Sequence, residues 1–297
     1  MNTLTKHLED FLYHQQVVRH LHLSTLRTYG YELRAAAADP RFNIPLEAIS
    51  STLLEVWITR QPVAKSTLQR RLATFRSFFA WTVRQGVCIN NPALLVDAPA
   101  YVRRLPRPLR QTDENLRLDQ AIYRLDQPYR LIFWILRETG MRVGEVLKLR
   151  RGDVCLDAGR ESLQVQEAKN ERAHTVILTP SATPKSLRAL RGYLKTISDQ
   201  PFTLLFLSNR RTALSYDAVH YQWAKLGRLA GLLDAQGKPL YTIHQLRHTR
   251  ATELLAQGNP VEIVQRVLGH RDIRSTLGYA ELNDQQVRAA LEKPSRH

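Results

Sequence analysis

Apolar residues recur at three- and four-residue steps through the first hundred positions, and that period predicts helices. Thr3–Gln15 and Ser24–Ala38 carry it, and Ser50 or Ser51 stands where a cap would open a third helix running to about Arg60. Lys65–Gln85 is the clearest case. Leu68, Leu72, Phe75, Phe79 and Val83 fall on one stripe, while Lys65, Arg70, Arg71, Arg76 and Arg84 lie mostly off it. Gly86 ends this helix and Asn91-Pro92 starts a new turn. A buried stripe with a basic exterior suits a polyanion backbone, and equally an ordinary core helix with a charged outer face.

The stretch 97–112, DAPAYVRRLPRPLRQT, has no helical period. Its prolines and its arginines, Arg103, Arg104, Arg107 and Arg110, predict an extended linker. Domains are therefore expected at 1–96 and 113–297. In the second, Pro128–Thr139 reads as a helix whose centre, LIFWIL, is nearly all apolar and hence buried. Gly140 ends it, and a further helix is expected through Leu149. Asp153–Leu156, Ser162–Gln166 and Thr175–Leu178 have strand character with turn residues between them, which predicts a small antiparallel sheet. Helices return at about 182–196, 215–230, 242–257 and 260–268, with another expected near 272–280 and an amphipathic one at Asn283–Glu292. The expected fold class is mainly α with a small antiparallel β-sheet (α+β).

Composition narrows the partners. The 297 residues carry 43 Lys and Arg against 27 Asp and Glu, a formal charge of +16. The excess is spread through the chain, with 15 basic against 7 acidic residues up to position 112 and 28 against 20 beyond it. Two domains that both face one polyanion fit this distribution; a generally basic, well-solvated surface fits it too. An apolar content of 43% supports a core in each half and excludes disorder of the whole chain. The two cysteines, Cys88 and Cys155, exclude a disulfide scaffold and a Cys-based zinc site. No apolar run reaches the length of a membrane span, and MNTLTKHLED lacks the core of a signal peptide, so a cytosolic protein without membrane contact is expected.

Two apparent motifs fail. Gly231–Pro239, GLLDAQGKP, has one residue too many between its glycines for a phosphate loop, and Pro239 replaces the magnesium-binding hydroxyl. His244 and His248 have zinc-pair spacing, but Gln245 replaces the expected glutamate and no third ligand is evident. No metal or other cofactor is expected.

Four segments share one chemistry. Thr139-Gly140-Met141-Arg142-Val143-Gly144-Glu145 puts an arginine just past a buried helix, and Lys169 lies between two expected strands. His244 and Arg247 are three apart, on one helix face. Leu268-Gly269-His270 is followed by Tyr279. Together they offer two guanidiniums, an ammonium, two imidazoles and a phenol, a donor set with one oxygen nucleophile. A phosphodiester reaction without metal needs such a set. Singly, each has an ordinary explanation: Arg142 as a partner of Glu145, His244 as a core histidine, Tyr279 as a packing residue. The ordered combination is what stands out.

Here the chain resembles the tyrosine site-specific recombinases, the integrase family, and is most similar in size and layout to the Xer type. The resemblance spans nearly the whole chain and is carried by TGMRVGEVLKL, AKNERAHTVIL, HQLRHTRATELLAQG and VLGHRDIRSTLGYAEL. It implies a helical core-binding domain over 1–96, a linker over 97–112, and a mixed catalytic domain over 113–297 with a C-terminal exchange helix. By the resemblance Arg142, Lys169, His244, Arg247 and His270 support catalysis, Tyr279 is the nucleophile, and Glu145 orients the site. The sequence departs from the family pattern around Lys169, which lies between Ala168 and Asn170 where glycines are frequent. It departs again at Val176-Ile177-Leu178 and at Ala280-Glu281.

The implied reaction is metal-independent DNA strand transfer through a 3′-phosphotyrosine link. The implied partners are a double-stranded DNA target site and a homo- or hetero-tetramer on two such sites. A chromosome-dimer resolvase of the Xer type would add a partner recombinase and a septal DNA translocase; an integrase or resolvase of a mobile element would not. A non-catalytic DNA-binding regulator on the same scaffold is the rival from another class, and Arg142, His244, Arg247 and Tyr279 argue against it. A metal-dependent nuclease is a third reading, which predicts loss of activity in chelator.

Overall fold

A computed structural model describes residues 2–98, 108–109, 112–166 and 173–269. The chain divides into two compact units, Met1–Arg103 and Arg104–His297. Lys169, His270, Tyr279, the linker arginines and the expected helices at 272–280 and Asn283–Glu292 lie outside the described residues.

The first unit contains α1 (Leu4–Val17), α2 (Leu23–Ala37), α3 (Ser51–Thr59) and α4 (Lys65–Arg84). Leu4, Leu8 and Phe11 of α1 meet Leu33 and Ala36 of α2, Leu54, Trp57 and Ile58 of α3, and Leu72, Phe75, Phe78 and Phe79 of α4 in one core. Its centre is aromatic: Phe11 meets Phe78 edge-on at 5.4 Å, and Trp57 meets Phe75 at 5.2 Å. Such pairs add to simple area burial. Ser50 is the cap of α3, its hydroxyl accepting from the Leu53 N–H at 3.1 Å.

The basic residues of α4 are not all exterior. Arg71 is buried with Glu32, which is only 1% exposed; Arg71 Nε stands 3.5 Å from Glu32 Oε2, and Arg71 Nη1 donates to Ile58 O at 2.8 Å. A carboxylate held away from water needs a counter-charge, and Arg71 supplies it. Arg76 donates to the carbonyls of Ala93 and Val96 and so pins the segment after α4.

The second unit contains α5 (Thr112–Tyr123), α6 (Tyr129–Thr139), α7 (Val143–Val146), β1 (Val154–Cys155), β2 (Ser162–Val165), β3 (His174–Ile177), α8 (Pro184–Leu194), α9 (Tyr216–Ala230), α10 (His244–Ala256) and α11 (Val261–Leu268). The whole LIFWIL run of α6 is buried, and α5, α7, α8 and α10 pack around that helix. The sheet is antiparallel in the order β1-β2-β3, with Leu163 opposite both Val154 and Val176. Helix α7 is shorter than the run to Leu149 that was expected. Helix α5, which the sequence reading did not anticipate, buries Leu118, Ala121 and Ile122. Just before it, Leu109 is buried in the same core, and its N–H donates to Thr249 Oγ1 at 2.9 Å.

Charged groups fix the helices around α6. Arg137 makes a bidentate pair with Glu253 of α10, at 3.0 and 2.7 Å. Glu138 accepts from the backbone N–H groups of Lys185 and Ser186, closing the first turn of α8 from outside. A carboxylate there satisfies orphan donors and meets the positive end of the helix dipole. The end of α6 is thereby locked to α8 and α10. Among the described residues no helix is long and apolar enough to cross a membrane.

Candidate active site

The locked end of α6 is where the candidate chemistry begins. Gly140 caps α6 in the left-handed conformation, with φ of +71°. A β-carbon there would meet Leu268 Cδ2 at 2.6 Å, so position 140 requires glycine for its backbone angle and for the space. The chain then turns through buried Met141 into Arg142, the cap residue of α7.

Glu145, almost fully buried, holds Arg142 twice. Its Oε2 accepts from the Arg142 backbone N–H at 2.8 Å and its Oε1 from Arg142 Nη1 at 2.6 Å. One carboxylate so fixes both the backbone and the head of the arginine, while the Arg142 side chain stays 32% exposed. A charge-assisted pair of this kind orients a guanidinium without burying it.

Helix α10 supplies the other groups. His244 opens the helix and keeps solvent contact; Arg247, one turn on, is 2% exposed. Arg247 Nη1 donates to the Gly140 carbonyl at 2.8 Å, which ties α10 to the turn that carries Arg142. Partial burial lowers the pKa of His244 below the ordinary histidine value, and the charges of Arg247 and then Arg142 lower it further. His244 is therefore neutral at pH 7 and able to accept a proton. The His248 ring meets the His244 ring edge-on at 4.7 Å.

The structure thus brings Arg142, His244 and Arg247 together at one place, with Glu145 behind them. The sequence reading missed the Gly140 carbonyl as the anchor of Arg247, and no side-chain pattern signals a carbonyl. It also missed the Arg137–Glu253 pair, for which Arg137, two residues before the TGMR segment, was the available sign.

Comparison with known proteins adds the family. Residues 110–286 match the model of the phage integrase family. The chain is 30% identical over 286 residues to tyrosine recombinase XerC of Rhodospirillum centenum, covering 90% of this chain and 80% of that one. It is 32% identical over 287 residues to tyrosine recombinase XerC of a Mycobacterium species, covering 91% of each. Among solved structures, a λ integrase fragment bound as a dimer to a core site superposes with a TM-score of 0.74, at 22% identity over 93% of this chain and 95% of that one. The XerH recombinase on its difH substrate superposes with a TM-score of 0.71, at 19% identity over 96% and 83%. Those structures share this fold of helices with a small three-stranded antiparallel sheet. Family match, relatives and fold agree, and the chain belongs to the phage integrase family as a site-specific tyrosine recombinase, an enzyme of DNA cleavage and strand transfer.

Proposed function

We propose that this chain cuts and rejoins a double-stranded DNA target with Tyr279 as nucleophile and Arg142, Lys169, His244, Arg247 and His270 as its supporting groups. The observation that carries the reading is the convergence of Arg142, Arg247 and a neutral His244, with Arg247 anchored on Gly140 O. Two guanidiniums beside one proton acceptor suit a phosphate that gains charge in its transition state.

The roles follow from the chemistry. The phenol of Tyr279 has an ordinary pKa near 10 and needs a base, which His244 provides. The Tyr279 oxygen forms a bond to phosphorus as the bond to the 5′ oxygen breaks, and the phenolic proton passes to His244. Lys169 gives a proton to the leaving 5′ oxygen, and Arg142, Arg247 and His270 donate to the non-bridging oxygens. One phosphodiester bond replaces another, so no nucleotide is consumed.

Exchange of two duplexes takes four strand cuts, which requires four copies of a one-tyrosine site. λ integrase has been solved as a tetramer on a Holliday junction, which supports a tetramer on two DNA sites for this chain. In its Xer-type form the reading adds a related second recombinase and a septal DNA translocase, acting in the cytoplasm. Strand exchange by this chain alone, with no added protein, would remove both.

Covalent trapping on DNA tests the chemistry. On a nicked target that prevents religation, the wild-type chain should form a covalent DNA adduct, and Tyr279→Phe should bind the same DNA without forming one. An adduct with Tyr279→Phe would overturn the assignment. Sequencing the trapped junctions gives the target site.

A further inference from the structure

The edge of the His174 ring lies directly against Gly269. A β-carbon on Gly269 would stand 2.7 Å from His174 Nε2, 3.0 Å from Cε1 and 3.1 Å from Cδ2. A side chain there would have to displace the ring, so imidazole and glycine backbone are in close contact. Gly269 also caps α11 in the left-handed conformation, with φ of +67°. The two requirements are separable. Asparagine tolerates the angle, but its β-carbon does not fit beside the ring.

His174 occupies a particular place in the sheet. It pairs with Val165, and this is the pair next to the connection between β2 and β3, at the loop end of the hairpin. The chain between Val165 and His174 carries Lys169, and Gly269 immediately precedes His270. One contact therefore joins the two strand ends that flank Lys169 to the helix end that leads into His270.

We propose that His174 is a positioning residue: its ring seats the loop end of the β2–β3 hairpin on the end of α11 and so sets where Lys169 delivers its proton. This rests on the reading of Lys169 as the acid that protonates the leaving oxygen. The strand ends bound the reach of the chain between them, and a misplacement of about 1 Å at a reacting group costs on the order of a hundredfold in rate. His174 itself touches no substrate in this account.

The test uses two nicked DNA targets that differ in one atom, the leaving 5′ oxygen or a sulfur in its place. Sulfur departs as a thiolate and needs no proton. Single-turnover cleavage by the full-length protein is measured for Lys169→Ala, His174→Ala and Gly269→Asn, with DNA binding followed separately. On the oxygen target, Lys169→Ala should slow cleavage about a hundredfold and the other two at least about tenfold. On the sulfur target all three should return to near the wild-type rate.

If Lys169→Ala is rescued by sulfur but His174→Ala and Gly269→Asn are slow on both targets, or slow on neither, the positioning role of His174 is wrong and the role of Lys169 survives. If Lys169→Ala is not rescued, the reading of Lys169 falls and the inference falls with it. Should His174→Ala fail to fold, Gly269→Asn decides, because it disturbs the same contact from the other side and keeps the helix cap.

Discussion

Arg247 Nη1 donates to the carbonyl oxygen of Gly140 at 2.8 Å, joining two positions 107 residues apart in the chain. The buried guanidinium of α10 is held by the turn that leads into Arg142. The carbonyl points correctly because Gly140 adopts a left-handed angle closed to most residues.

Gly140→Ala should therefore damage both stability and chemistry. The left-handed angle costs about 1–2 kcal/mol for a residue with a β-carbon, and the clash with Leu268 adds to it. Any shift of the carbonyl moves Arg247, so cleavage should fall about a hundredfold. Thermal unfolding and single-turnover cleavage measure the two effects. Wild-type cleavage in this variant would disprove the anchoring role.

Glu145 should matter for Arg142 without touching DNA. Glu145→Gln keeps the shape but removes the charge that holds the guanidinium at 2.6 Å. Hydrogen bonds to charged groups contribute about 1.5–3 kcal/mol, so a loss of about 1–2 kcal/mol in stability is expected. Cleavage should slow by more than tenfold, roughly the same free energy expressed in the transition state. DNA affinity should change little, since a chain with a formal charge of +16 has many other basic groups for a phosphate backbone. Competitive DNA binding alongside cleavage separates these. Equal losses in both would mean that Arg142 serves binding only.

The pH dependence follows from His244. Its folded pKa lies below the ordinary value of about 6.5, so the folded protein resists protonating it. Its contribution to stability is complete above about pH 6.5 and is lost as pH falls toward the folded pKa. Activity should follow the same group. The acid limb of cleavage should have its midpoint below 6.5, where His244 takes a proton. His244→Gln should lower the rate and remove that acid limb. An acid limb unchanged in His244→Gln would assign it to another group.

The sequence made some of this visible and hid the rest for physical reasons. Helix α6 was legible because LIFWIL is apolar on every side, which only a buried helix tolerates. The strands were legible from their turns and short apolar runs, and they lie within about a residue of the expected bounds. Helix α5 was not, because Leu118, Ala121 and Ile122 sit among Asp, Glu and Arg beside a proline-rich stretch that draws the reading toward a linker. Arg142, His244 and Arg247 could be singled out because their spacing survives in one dimension. The Gly140 carbonyl and the His174–Gly269 contact could not, since each joins distant segments through backbone atoms or an absent side chain. Arg71 was misread as exterior for the same reason: the burial of its partner Glu32 is a property of the packed helices, not of either helix alone.

The burial of Arg71 with Glu32 bears on DNA binding. Glu32 is buried between Arg70, at 3.3 Å, and Arg71, at 3.5 Å. Removing one member of a buried pair strands the other charge, at a cost of about 3–5 kcal/mol, whereas replacing both by apolar residues is often neutral. Glu32→Leu should therefore destabilise the first unit by about 3 kcal/mol, and Glu32→Leu with Arg71→Met should recover most of that, as read from the thermal transition. A side chain spent on Glu32 and the Ile58 carbonyl is not available to a phosphate. The double variant should keep the wild-type dependence of DNA affinity on salt, where loss of one phosphate contact would reduce the log–log slope by about 0.9. A slope reduced by that amount would place Arg71 on DNA and return it to the exterior face that the sequence pattern first assigned.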